Sequence, residues 1–255
     1  RATMNVHLTQ RDRRYRADLS HPIDISMPLR SGQENANCFY APPPEFSPLL
    51  RAGDFVGSVA AGGPVNFYDV RINPHGNGTH TECLGHITRE GMTIHRQLKK
   101  FHFVAKLVSL FPVKTPTGDR VIGRKQLNDC CWPGEAEALI IRTLPNDRLK
   151  LCTNYSGANP PYLHREAALH LVECGICHLL VDLPSVDREK DGGALAAHRA
   201  FWSYPEAPRK NCTISELIFV DNSVKDGLYL LNLQIASLEL DVSPSKPVLY
   251  ALDPV

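Results

Sequence analysis

Residues 160–183 read PPYLHREAALHLVECGICHLLVDL, and the way this stretch is punctuated decides the fold class. Pro160 and Pro161 open a helix predicted over Leu163–Cys174, where Leu163, Ala167, Leu171 and Cys174 recur at helical spacing. Gly175 stands where a C-cap is expected, and His178–Leu183 follows at once as a strand. Upstream, Ala138–Arg142 (ALIIR) is a short, mostly apolar run of the buried kind. Strand, helix and strand joined by a tight turn make a βαβ-like unit.

Outward from that unit, the N-terminal third is strand-rich and helix-poor. Leu19–Leu29 alternates apolar Ile23, Ile25 and Met27 with polar neighbours, the period-two signal of a half-buried strand. Asp54–Ala60 and Val65–Ile72 read as strands joined by the turn Ala61-Gly62-Gly63-Pro64. Phe101–Phe111, Gly227–Ile235 and Lys246–Leu252 are further strands, and Gly123–Cys131 is a short helix. Mixed α/β is the fold class this order implies, with residues 1–18 as an N-terminal arm and 19–255 as a single domain.

Composition narrows the partners. The chain has 255 residues, 43% of them hydrophobic, and its 28 Lys plus Arg nearly balance 27 Asp plus Glu. There is no basic field for nucleic acid, and no run approaches the roughly 18 to 20 apolar residues of a membrane span. A small-molecule substrate is the expected partner. The polar stretch Thr9–Arg16 is no secretory h-region, although a start at Arg1 leaves room for a removed upstream signal. Cys130 with Cys131 and Cys174 with Cys177 lie in or beside apolar segments, which suits buried thiols in a reducing, cytoplasmic setting.

The chemistry concentrates in His75-Gly76-Asn77-Gly78-Thr79-His80-Thr81-Glu82-Cys83-Leu84-Gly85-His86. Imidazoles and a carboxylate at this density suit a divalent metal, zinc first and manganese second. In an extended segment His80 and Glu82 share one face and can bind one ion together. His75 lies an odd number of residues from His80, so it needs a bulge at Gly76 or Gly78 to join them. The remaining ligands come from Pro184–Glu216, where Asp187, Asp191, His198 and Glu216 are candidates. Glu216 sits among apolar residues, where a carboxylate is costly unless paired or metal-bound; following Thr213 or Ser215 it could instead be a helix-start carboxylate.

Other chemistries lack an anchor. Cys174-Gly175-Ile176-Cys177-His178 has the spacing of c-type haem attachment but lies at a helix end leading into an apolar strand. The lone CxxC has no second pair at zinc-ribbon spacing, and no G-x-S-x-G, G-x-G-x-x-G or P-loop occurs.

These residues resemble the metal-dependent cyclase-like hydrolases that include bacterial kynurenine formamidase and isatin hydrolase. The family segment H-x-G-T-H-x-D-x-P-x-H is matched by Gly78-Thr79-His80-Thr81-Glu82-Cys83-Leu84-Gly85-His86. Ile23-Asp24-Ile25-Ser26-Met27-Pro28-Leu29 and Leu183-Pro184-Ser185-Val186-Asp187 look like two further family motifs, and His198 and Ile214-Ser215-Glu216-Leu217 like the late His and Glu ligands. The resemblance implies a swivelling β/β/α domain, usually a homodimer or homotetramer. It also implies one or two divalent ions on His80, Glu82, His198 and Glu216, with His86 as the proton-transferring histidine. Three departures stand out: Glu82 replaces an aspartate, Leu84 replaces a proline, and Gly76 occupies the first ligand's place with His75 beside it.

The implied reaction is hydrolysis of an amide-type bond in a formamide, aryl amide or small lactam, by metal-activated water. Phe39 and Tyr40, in a proline-bounded loop, are candidates to stack on an aromatic substrate. A non-catalytic binding protein with a drifted metal site, or a lyase or isomerase on the same site, are the alternatives.

Overall fold

The apolar runs become neighbours in one sheet. In the computed structural model, which describes residues 3–51 and 55–255, this sheet contains β1 (Ile23–Asp24), β2 (His80–Cys83), β3 (His102–Leu110) and β4 (Ala138–Thr143). It is completed by β5 (His178–Val181), β6 (Thr213–Glu216), β7 (Gly227–Ile235) and β8 (Val242–Ala251). The order is β7-β3-β4-β5-β6-β2-β8-β1, and an additional β7–β8 pairing closes a 7-strand barrel-like ring. β3, β4, β5 and β6 run parallel, while β2, β7 and β8 enter antiparallel.

Three helices cover the outside: α1 (Arg124–Asn128), α2 (Arg165–Glu173) and α3 (Ala196–Phe201). Alternation along β4 separates two cores. Leu139 and Ile141 pack in a cluster with Ala167, Leu171 and Phe201 from the helices, whereas Ala138 and Ile140 pack with Phe103, Leu107 and Leu180 inside the ring. Both faces of β4 are therefore buried, which is why it reads as a continuous apolar run rather than an alternating one. Truncating a fully buried side chain such as Ile140 to Ala costs about 2–5 kcal/mol.

Several boundaries differ from the sequence expectations. α2 starts at Arg165, because Tyr162–Leu163 pairs with Arg120–Ile122 as a strand and the His164 side chain accepts the Glu166 N–H as an N-cap. Of Leu19–Leu29 only Ile23–Asp24 pairs as a strand, between Pro22 and Pro28, with a single bridge from Ser26 to Ile218. The strands expected at 54–60 and 65–72 do not form a hairpin with each other. Tyr68–Arg71 pairs with Glu45–Pro48, Phe55–Val56 pairs with Leu50–Arg51, and Val59–Ala61 is a 3-10 turn capped by Ser58; Asp54 lies outside the described residues.

Asn5–Gln10 and Arg13–Asp18 form a hairpin that also pairs with Asp253–Pro254, fastening the N-terminal arm to the C-terminus. All eight cysteines are free; Cys152 is exposed, and Cys130 and Cys177 are half-buried rather than core thiols. Among the described residues no helix is long and apolar enough to cross a membrane.

Candidate metal centre

Strand register assembles the first half of the site. The antiparallel pairing of β2 with β6 sets His80 opposite Glu216 and Glu82 opposite Ile214. Because side chains alternate, His80, Glu82 and Glu216 lie on the face that Ile214 shares with the helices. Thr81 and Ser215 occupy the other face and hydrogen-bond each other at 2.6 Å. Glu216 is thus a strand-end carboxylate, and the helix-start alternative is excluded by its place in β6.

α3 supplies the other half. The Asp187 carboxylate accepts the N–H groups of Ala197 at 2.6 Å and His198 at 3.1 Å, capping the helix start. It also lies 2.6 Å from His198 Nδ1, so one side chain fixes both the helix and the imidazole ring. Asp187, a candidate ligand from sequence, is therefore placed behind His198. Asp191 accepts the Gly193 and Leu195 N–H groups instead, shaping the loop that leads into α3.

The two buried imidazoles are anchored the same way. His80 Nδ1 donates to the Gly78 carbonyl at 2.9 Å, leaving Nε2 as a lone pair 3.2 Å from Glu216 Oε2. His198 Nδ1 donates to Asp187, leaving Nε2 2.9 Å from Glu82 Oε1 and 3.8 Å from Glu216 Oε1. In a neutral ring each such contact sets lone pair against lone pair, which is repulsive without a proton or a cation between them. All four residues are at most 3% exposed, so bulk water does little to screen these contacts. Glu82 Oε2 is moreover buried without a hydrogen-bond partner. Two buried imidazole nitrogens each facing a carboxylate, with an orphaned buried oxygen on Glu82 between His75, His80, His86 and His198, suit a divalent metal ion.

Three half-buried groups stand at the mouth. His75 Nδ1 lies 3.3 Å from Glu82 Oε2, and its Nε2 lies 3.0 Å from Asp241 Oδ2. His86 Nδ1 lies 3.2 Å from the same Asp241 oxygen and 3.7 Å from Glu82 Oε2. His75 reaches the site without the expected strand bulge, because residues 73–77 form a turn. Gly76 and Asn77 donate backbone N–H groups to the Asn73 carbonyl, and Asn73 N–H is held by Asn77 Oδ1 at 2.6 Å. At Gly76 a Cβ would meet the Ala41 Cβ at 2.4 Å, so the position next to His75 admits no side chain. Asp241 carried no sequence signal, since it stands alone just ahead of β8.

The charges are strongly coupled. Burial works against a proton on His75, yet its hydrogen bond to Asp241 and the charges of Glu82 and Asp241 push it up to about 10. Burial likewise opposes charge on His198, but Asp187 and Glu82 hold it well above the ordinary histidine range. Glu82, against its full burial, is held well below the carboxylate range by His86, His198 and His75. Asp241 is held low by its hydrogen bonds to His75 and His86.

A cavity of about 340 Å³ opens onto the centre, walled by His75, His86, His198 and Glu216 on one side and by Phe39 and Arg188 on another. Phe39 lies on this wall, but Tyr40 does not. Both have positive φ, and the Tyr40 hydroxyl lies over Gly157, where a Cβ would meet it at 2.9 Å. The ring therefore points away from the cavity.

Comparison with known proteins follows the same lines. Residues 17–188 match the cyclase family model, described as "Putative cyclase". A kynurenine formamidase of Bacillus cereus is 28% identical over 189 residues, spanning 73% of this chain and 81% of the relative. A solved structure of a potential metal-dependent hydrolase with cyclase activity superposes with a TM-score of 0.64 at 16% identity, covering 91% of this chain and 98% of that one. An isatin hydrolase bound to the product analogue thioisatinate superposes with a TM-score of 0.57 at 14% identity, covering 92% and 93%. With residues 17–188 matching the family model and solved neighbours sharing the fold over some nine tenths of its length, the chain belongs to the cyclase family.

Proposed function

We propose that this chain hydrolyses an amide-type bond in a small molecule, a formamide, aryl amide or lactam, with a divalent ion held by His80, Glu82, His198 and Glu216. His75 is the fifth ligand at the rim, zinc is the first choice of ion and manganese the second, and one or two ions fit the donor set. The observation that carries this reading is the pair of buried imidazoles, each anchored through Nδ1 and each aiming Nε2 at a carboxylate. The kynurenine formamidase relative and the isatin hydrolase neighbour supply the bond type. When bound, the ion polarises a carbonyl and makes water acidic enough to act near neutral pH.

The chain's own residues do the rest. With His86 Nδ1 engaged by Asp241, Nε2 is the nitrogen left to carry a proton to the leaving nitrogen. Asp241 fixes that ring, and Asp187 fixes His198. Phe39, 45% exposed on the cavity wall, offers a ring face to a planar substrate, while Tyr40 braces the loop. A cavity of about 340 Å³ sits at the lower end of ligand-pocket sizes, which suits a small substrate.

Assembly is part of the proposal. Leu50, Phe67, Tyr68 and Val70 are exposed on the strands around the 45–71 segment, an apolar surface suited to a homodimer or homotetramer. The free thiols suit a cytoplasmic setting. The test of the activity is turnover of a panel of formamides, lactams and esters by the metal-loaded protein, with light scattering on the same sample. Turnover of an amide-type substrate by an oligomer supports the reading; a loaded protein inert on the amides but active on the esters, or one that binds without turnover, contradicts it.

A further inference from the structure

Outside the ring, in the helix-side core, three metal-ligating groups from two segments meet. Cys131 follows α1, while His170 and Cys174 stand four apart at the end of α2 and so share one helix face. All three are buried, and one donor atom from each lies within 4.8 Å of the others. Cys174 Sγ is 3.3 Å from His170 Nε2, and the Cys131 carbonyl oxygen is 3.1 Å from that nitrogen and 3.3 Å from Cys174 Sγ. Two thiols, an imidazole nitrogen and a carbonyl oxygen thus surround one point.

The imidazole is incompletely satisfied as it stands. If Nε2 donates to the Cys131 carbonyl, Nδ1 is left as a buried acceptor without a hydrogen-bond partner. That lone pair looks toward Glu173 Oε2, 3.8 Å away, where a donor is wanted. A cation on Nε2 reverses the tautomer and turns Nδ1–H toward the Glu173 carboxylate. This is the outer arrangement that metal-bound histidines ordinarily make. Burial pushes both thiols up, so without a cation they stay neutral. The Cys174-x-x-Cys177 pair, which taken alone suggests no site, is not the relevant unit: Cys131, distant in sequence, replaces Cys177.

We propose that Cys131, His170 and Cys174 form a second metal site, separate from the hydrolytic centre, for one thiophilic d10 ion, zinc(II) or copper(I). Binding displaces the two thiol protons and leaves two thiolates and a neutral imidazole on the ion. The site ties the segment after α1 to the end of α2, a structural role.

Cobalt(II) tests it, because thiolate ligands give a near-ultraviolet charge-transfer band that an all nitrogen-and-oxygen centre cannot give. The full chain, stripped of metal, is titrated with cobalt(II), which fills the main centre without giving a thiolate band. The expected result is a saturable band of two-thiolate intensity, retained in His80→Ala and in Cys177→Ser and absent in Cys174→Ser. Glu173 is exposed, so Glu173→Gln keeps the fold and is expected to weaken cobalt binding on the order of tenfold. Bleaching by zinc(II) identifies the borderline ion, and bleaching by copper(I) alone the soft one. A wild-type protein without the band, a band that survives in Cys174→Ser, or one lost in Cys177→Ser overturns the proposal.

Discussion

Asp187 holds His198 from behind: its carboxylate is 2.6 Å from His198 Nδ1 and accepts the backbone N–H groups of Ala197 and His198. The ring that faces Glu82 is therefore oriented by a residue that touches no ion. Asp187→Asn keeps the size and part of the cap but loses the charge. Metal affinity is expected to fall about 10–100-fold, measured by competition with a chelator, while the fold persists by circular dichroism. Unchanged affinity would mean that α3 alone positions His198.

Loading the centre should release protons. In the ion-free chain His75, pushed up to about 10, and His198, held well above its ordinary range, carry protons at neutral pH. Ligation needs neutral rings, so metal binding releases one proton or more and affinity falls as pH falls. Titration calorimetry in two buffers of different ionisation enthalpy reads that number directly. Heats independent of the buffer would contradict the assignment of these rings as ligands.

His86 and His80 should separate cleanly. His86→Ala is expected to retain metal and lose about 10²–10⁴-fold in kcat, the usual size of a proton-transfer contribution. Loss of metal with His86→Ala would make it a ligand, in line with its 3.7 Å approach to Glu82.

Acid stability should depend on a residue outside both sites. His178 is buried against Phe103 and bonds Thr213 through Nδ1 at 2.8 Å. Burial, helped by Arg209 and Lys100, pushes it down from 6.5 to about 4. Above 6.5 both folded and unfolded chains hold it neutral; as pH falls toward 4 only the unfolded chain takes the proton. Wild type should lose about 3 kcal/mol over that window from this residue, and His178→Phe should lack that part of the slope in Tm against pH. Parallel slopes for the two proteins would contradict it.

Much of the fold was legible because it is written in local periodicity. The apolar run Ala138–Arg142, the helical spacing from Ala167 to Cys174 and the glycine at 175 each correspond to an observed element. The N-terminal strands were less legible, because alternation in Leu19–Leu29 reports burial rather than pairing, and the partners of Tyr68–Arg71 are set by residues 45–48. In the site, the two-residue repeat pointed to His80 and Glu82, and His198 and Glu216 stood among four candidates in Pro184–Glu216 until the motif likeness singled them out. Asp241 was invisible, since a single acidic residue acquires meaning only when β8 brings it beside His75 and His86. Cys131 and His170 were invisible as a pair for the same reason, being joined only by the packing of α2.

Metal content and turnover followed together through one chelator titration test the central claim most directly. The account predicts that amide hydrolysis and bound divalent ion fall in parallel, return together on adding zinc or manganese, and are both absent from His80→Ala. Full turnover by metal-free protein would contradict it.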